Sequence, residues 1–237
     1  MPSRIVKILD QKCYPDFGDK WDDRLLRKKI LKFLKPDHTI LDVGAGRGRI
    51  LEMNFKRMAT RVVGIDPDPR VKDNPLLDEG FEGLADNMPF FDNDTFDLIF
   101  CDNVLEHVED PDRLYSEIAR VLKPNGCFIS KTPNKFYYVS LIAAITPESF
   151  HKFVNAKRGR NESDTFPTFY RANTAKAQRK WAHKNGLKII EIDSIEGRPE
   201  YLRIFFITYL LGILFERIVN LLRLNRLKAI LITVYRK

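Results

Sequence analysis

The stretch that most constrains this chain is Thr39–Asp66, TILDVGAGRGRILEMNFKRMATRVVGID. A β-branched, apolar run (Ile40, Leu41, Val43) carries one acid, Asp42, and enters a glycine-rich turn, Gly44-Ala45-Gly46-Arg47-Gly48. A helical pattern over Arg47–Met58 follows, then a second apolar run, Val62-Val63-Gly64-Ile65, ending in Asp66. Strand, tight turn, helix and strand in that order make a βαβ unit. Gly44 and Gly46 permit backbone angles and a close approach that a β-carbon would block. Asp66 closes the second strand about 20 residues past the glycines, at the sheet's topological switch point, where a carboxylate can accept from both hydroxyls of a ribose.

The third glycine of a dinucleotide fingerprint would fall at position 49, which is Arg49. Asp42 weighs further against a pyrophosphate, because a carboxylate at the end of the first strand would repel it. The same carboxylate suits a ligand that carries an ammonium group.

Four segments in order, LDVGAGRG at 41–48, VVGIDPD at 62–68, GLADNMPFFDNDTFDLIF at 83–100 and NVLEHVEDPDRLYSEIARVLKPNGCFI at 103–129, resemble a class I S-adenosylmethionine-dependent methyltransferase of the small-molecule type that includes quinone and sugar methyltransferases. The resemblance covers residues 36–133 and implies a Rossmann-like, doubly wound α/β sheet of seven strands, the last antiparallel, with inserts on the acceptor side. It implies S-adenosylmethionine as methyl donor and S-adenosylhomocysteine as product. Asp42, Gly44, Ala45, Gly46, Asp66 and Pro67 would hold the donor. Asp86, the backbone of Asn87 and the side chain of Met88 would take the adenine, and Asp102 with Asn103 would open over the reacting methyl. Nucleobase N-methyltransferases resemble one another in an Asn-Pro-Pro-Tyr type tetrad at this last position. Here it reads Asp102-Asn103-Val104-Leu105, so a nucleic-acid substrate is not expected. His107 is the candidate general base, a packing role in the loop being its alternative. No metal is expected.

With 237 residues, the chain reads as one domain: a lid helix region over 1–35, a cofactor-binding core over 36–133, an acceptor-side insert over 134–173 and an apolar, basic insert over 197–228. Cys13, Cys101 and Cys127 have no pairing pattern, and Met1–Asp10 lacks the long apolar core of a leader. A cytoplasmic protein, with the option of peripheral membrane attachment, is expected. Residues 1–150 hold 22 Lys and Arg against 25 Asp and Glu, whereas 151–237 hold 18 against 7. The basic surplus therefore lies outside the cofactor half. An RNA-binding enzyme and a catalytically silent membrane-surface protein are the rival readings.

Ser3–Lys20 reads as irregular, and Trp21–Leu34 as an amphipathic helix whose Trp21, with Tyr14, could lid the cofactor. Val71–Gly80 reads as a short helix and turn, Phe81–Ala85 as a third strand, Phe96–Cys101 as a fourth and Asp110–Leu122 as a helix. A fifth strand is expected at Cys127–Ser130 and a short apolar helix at Val139–Ile145. Thr174–Lys184 reads as a helix, with strands at Leu187–Ile195 and Ala229–Tyr235. Ile204–Phe215 is free of charge (IFFITYLLGILF), and Glu216-Arg217 then interrupts it. That run is too short for a bilayer span of about 20 residues. A helix buried on the sheet, a helix on a membrane surface through 201–224 and a subunit interface are the options. The acceptor is expected to be a small molecule, lipid or glycan methylated on oxygen.

Overall fold

The computed structural model describes residues 4–15, 17–18, 20–140, 167–203 and 205–237. Its strands are β1 (Thr39–Val43), β2 (Arg61–Asp66), β3 (Glu79–Glu82), β4 (Phe96–Asp102), β5 (Leu122–Pro133), β6 (Lys188–Ile195) and β7 (Ile230–Arg236). They form one sheet in the order β3-β2-β1-β4-β5-β7-β6. β1 pairs in parallel with both β2 and β4, and β7 runs antiparallel between β5 and β6. The winding therefore reverses between β1 and β4, which is where open α/β sheets leave a crevice for a ligand. Register makes that crevice chemical. Val43 lies opposite Ile65 on one side and Cys101 on the other, so Gly44, Asp66 and Asp102 emerge side by side at the carboxyl edge.

Both sheet faces are buried, as a parallel sheet requires. On one face, α3 (Pro111–Val121) and α4 (Ala175–Lys184) cover a core containing Leu41, Val43, Ile99, Leu114, Tyr115, Ile118 and Ala182. On the other, Leu26 and Ile30 of α2 (Trp21–Leu31) pack with Ile40, Phe55, Val62, Leu98 and Phe100. Local signals fix the ends of these helices. Asp110 accepts from the N–H groups of Asp112 and Arg113 at 3.0 and 3.3 Å, with Pro111 in the first turn, and Thr174 Oγ1 accepts from Ala177 N–H at 3.1 Å.

Several sequence expectations are corrected. Arg4–Cys13 is a helix, α1, where an irregular segment was expected. The helix expected over Arg47–Met58 is absent, and only a 3₁₀ turn forms, at Leu51–Met53. Met53 and Phe55, two residues apart, are both buried, a spacing that no helix face can satisfy. Gly48 and Arg57 at positive φ, and the Asn54 side chain accepting from Lys56 N–H, hold the loop instead. Val71–Gly80 likewise contains only the end of a 3₁₀ turn, Pro69–Asp73, and β3 begins two residues before Phe81 and stops at Glu82. The helix expected over Val139–Ile145 falls largely outside the described residues. Finally, α5 (Phe206–Leu221) runs straight through Glu216, which turns inward instead of breaking the helix.

Candidate functional site

The glycine turn is shaped by hydrogen bonds that reach across from β2 and beyond it. Gly44 sits at φ 78° and Gly46 at φ 53°. A β-carbon on Gly44 would lie 2.3 Å from Val104 Cγ2, so neither the backbone angle nor the space admits another residue. Gly44 and Ala45 donate to the Ile65 carbonyl at 2.8 and 3.3 Å. Both oxygens of Asp66 then hold backbone: Oδ2 accepts from Gly46 N–H and Oδ1 from Asp68 N–H, each at 2.8 Å. Asn74 clasps the turn from the far side. Its Nδ2 donates to the carbonyls of Ala45 and Gly46 at 3.0 and 3.2 Å, and its Oδ1 accepts from Leu76 N–H at 2.9 Å. With no helix following the turn, this web takes the place of a helix N-terminus in setting the loop.

The turn encloses a cavity of about 200 Å³ whose walls include Asp42, Gly44, Ala45, Gly46, Arg47, Arg49, Asp66, Asp68, Asn74, Leu76 and Asp102. Its charge is dominated by acids. Asp42 is 7% exposed, and burial, reinforced by Asp102 and Asp66, pushes its carboxyl well above the usual range. Burial also raises Asp102, to about 7, with Lys131 pulling it back and Asp23 and Asp22 pushing it up. Neither Asp102 oxygen makes a well-directed hydrogen bond, although Lys131 Nζ lies 2.8 Å from Oδ1 as an ion pair.

Lys131, near the end of β5, is fully buried and meets three carboxylates: Asp102 at 2.8 Å, and Asp22 and Asp23 of the first turn of α2 at 2.8 and 2.7 Å. Burial alone would lower its ammonium, but the three acids outweigh that and hold it above its ordinary value. The clasp seats α2 on the carboxyl edge. It also leaves more buried carboxyls than ammonium groups beside Asp42, an environment in which a bound cation favours their ionised form.

Of the residues singled out in the sequence, Asp42, Gly44, Ala45, Gly46, Asp66 and Asp102 share the walls of this cavity, whereas Pro67, Asp86, Asn87, Met88, Asn103 and His107 lie outside them. Met88 is a correction. Its side chain is fully buried in the core beside Phe91 and Phe96, its N–H donates to Glu117 Oε2 at 2.8 Å, and its carbonyl accepts from Arg120 at 2.8 Å. It has no face to offer a ring. Asp86 is half-buried and Asn87 exposed. Pro67 instead lines a groove of about 450 Å³ with Phe81, Gly83, Leu84 and Phe90, and Leu84 is 60% exposed on it. Asn103 adopts φ 54° and donates its N–H to the Lys131 carbonyl at 2.9 Å.

Beyond β4, His107 Nδ1 lies 2.8 Å from the carbonyl of Pro167, and the neighbouring Glu106 carbonyl accepts from the N–H groups of Phe169 and Tyr170 at 2.7 and 3.3 Å. These bonds pin the point where the 134–173 segment returns to the sheet. Two carboxyls here carried no sequence signal. Glu106 accepts from Thr132 Oγ1 at 3.0 Å and is raised to about 7 by burial. Glu196, just past β6, is 7% exposed and is raised to about 8 by burial, with Tyr137 pulling it back.

Residues 41–130 match a methyltransferase domain family. The ubiquinone biosynthesis O-methyltransferase of Colwellia psychrerythraea is 30% identical over 171 residues, 69% of this chain and 66% of that protein. A protein of the same name from Coxiella burnetii is 28% identical over 173 residues, 70% of each chain. The match thus spans about two thirds of these curated relatives. The crystal structure of an S-adenosylmethionine-dependent methyltransferase from Archaeoglobus fulgidus superposes with a TM-score of 0.61 over 98% of this chain and 99% of that one, at 16% identity, a likeness of fold alone.

Proposed function

The chain belongs to the class I S-adenosylmethionine-dependent methyltransferases, and from that premise we propose that it moves a methyl group to a hydroxyl of a small, largely apolar acceptor. The observation that carries this reading is the acidic cavity at the switch point, where buried Asp42 and Asp102 outnumber the one buried ammonium and neither Asp102 oxygen is well hydrogen-bonded. Those carboxyls fit S-adenosylmethionine, which is cationic at its ammonium and sulfonium. Asp42 and Asp102 would hold its charged end, Asp66 its ribose, and the backbone of Gly44–Gly46 its close approach. Asp86 and Asn87 would receive the base, with Leu84 in the place expected for Met88.

When bound, S-adenosylmethionine supplies an already electrophilic methyl group. The chain's own work is then to position the acceptor and exclude water. His107 donates its Nδ1 proton to the Pro167 carbonyl, which makes Nε2 the basic nitrogen of the neutral ring and the group to take the acceptor's proton. We place the acceptor beside the described ends of the 134–173 segment, since 141–166 lie outside the described residues. Phe136, Tyr137, Tyr138 and Phe169 at its two ends favour a ring or lipid body over a sugar. The relatives from Colwellia and Coxiella, named for O-methylation in ubiquinone biosynthesis, support a ring hydroxyl. The test is S-adenosylhomocysteine release with purified protein and a panel of phenols, quinols, glycans and lipid hydroxyls. Turnover confined to apolar hydroxyls supports the proposal, and turnover only with glycans or amines contradicts it.

A further inference from the structure

The least expected surface of this molecule is the outward face of α5. Ile207, Leu210, Leu211, Leu214, Ile218 and Leu221 are 41–81% exposed and recur at three- and four-residue steps, so they form one continuous stripe. The inward face carries the polar groups. Glu216 accepts from Tyr14 OH at 3.0 Å and from Asn220 Nδ2 at 2.5 Å, and Tyr209 OH bonds Asp10. The amphipathic order of an ordinary surface helix is thus reversed. α1 packs alongside through Asp10 and Val6, which meet Tyr209, and carries exposed Ile5 and Ile8 of its own. Contiguous apolar surface of this kind marks an interaction site.

The charge around the stripe has one sign. Arg4, Lys7, Lys12, Arg217, Arg223 and Arg226 are exposed on the two helices and the turn that follows α5. The acids of these helices, Asp10 and Glu216, are turned inward, and Glu216 is the only acid from Tyr201 to the C-terminal Lys237. With 16 residues, α5 is about 24 Å long, short of the ~30 Å hydrocarbon thickness. No helix among the described residues is long and apolar enough to cross a membrane.

We propose that the α1–α5 layer docks on the surface of an anionic lipid bilayer, the stripe of α5 lying in the boundary between headgroups and acyl chains and the surrounding arginines and lysines on the headgroups. Charge complementarity selects this occupant over a second copy of the chain. Two stripes facing each other would bring like-charged arginine clusters together. The layer also sits over the carboxyl edge of the sheet. Phe215 of α5 meets Tyr138, five residues past the end of β5, at 5.3 Å between ring centroids, and Gly212 lies against Pro199, four residues past the end of β6. Docking would therefore set the acceptor side of the sheet close to the lipid, a consequence that rests on the methyl-transfer reading while the docking itself does not.

The test is co-sedimentation of the full chain with phosphatidylcholine vesicles, with and without phosphatidylglycerol, alongside sedimentation velocity of the free protein. Binding to the anionic vesicles should weaken with added salt and fall at least about tenfold in Leu211→Gln/Leu214→Gln. Arg223→Gln/Arg226→Gln should lose roughly fivefold per charge. S-adenosylhomocysteine affinity should be unchanged in both variants, and the melting temperature in the leucine variant, whose side chains are exposed; Arg226 also lies over the Phe136 ring at 5.2 Å. Equal binding by the leucine variant, no vesicle binding by a monomer, or a dimer that this variant dissociates would each overturn the proposal, the last by assigning the stripe to a second copy. Loss of vesicle binding with intact cofactor affinity separates a failure here from a failure of the methyl-transfer reading.

Discussion

Replacing Lys131 by methionine would strip a buried ammonium from three carboxylates while keeping a side chain of similar volume. The consequence depends on which carboxylate can find other partners. The side chains of Asp22 and Asp23 are 29% and 13% exposed and recover water, whereas that of Asp102 is 7% exposed and does not. Removing one partner of a buried pair costs about 3–5 kcal/mol, and the partial exposure of the two α2 acids places this case near the lower end, about 3 kcal/mol near pH 8. The deficit should vary with pH in a definite direction. Asp102 is already raised to about 7 by burial, and loss of Lys131 raises it further. A carboxyl raised by folding contributes stability below its unfolded value near 4 and loses it as pH climbs toward the folded value. Near pH 5.5 the variant's Asp102 holds its proton, and the loss should shrink to about 1 kcal/mol. Lys131→Met/Asp102→Asn should recover most of the difference near pH 8, because the stranded charge is gone. Urea unfolding of the three proteins at both pH values measures this. A Lys131→Met deficit under about 1 kcal/mol near pH 8, or one equal at the two pH values, refutes the reasoning.

Three further outcomes are expected. Gly44→Ala meets both φ 78° and the Val104 contact at 2.3 Å, so it should cost about 1–3 kcal/mol and abolish S-adenosylhomocysteine binding, both readable by thermal shift. Affinity for S-adenosylmethionine should tighten about tenfold between pH 6 and 8 as Asp102, at about 7, ionises to face the cation; a flat profile by fluorescence titration contradicts that role. His107→Gln should lower kcat by about 10²–10⁴ while leaving cofactor affinity unchanged, and an unaltered kcat would return His107 to a loop-anchoring role.

The parts of the fold that could be read from the sequence are those determined locally. β1, β2 and β4 are short, mainly apolar runs, α3 carries an Asp-Pro start and one apolar face, and α4 begins at a threonine cap, so their positions follow from residues next to one another. The loop over 47–58 misled because glycines before a mixed apolar pattern resemble a helix start, and only the depth of Phe55 against Phe100 shows otherwise. Met88 beside Asp86 looks the same in a core as on a ligand, and Phe91 and Phe96, packed around it, decide between them. Asn74 gave no signal, since its task is to hold two carbonyls 28 and 29 residues away. The Lys131 cluster spans more than 100 residues to Asp22 and Asp23, a separation no pattern encodes. Glu216 read as an interruption because a charge in an apolar run normally faces water, and here it faces Tyr14.

The most direct test of the acidic cavity as the methyl-donor site is calorimetric titration of the purified protein with S-adenosylhomocysteine beside an Asp66→Ala variant of matched folding. Asp66 holds Gly46 and Asp68 through its two oxygens and stands where the ribose would be received. Saturable binding with one ligand per chain, lost in the variant, is the predicted result. No binding by the folded wild-type protein, or equal affinity in the variant, would contradict the assignment.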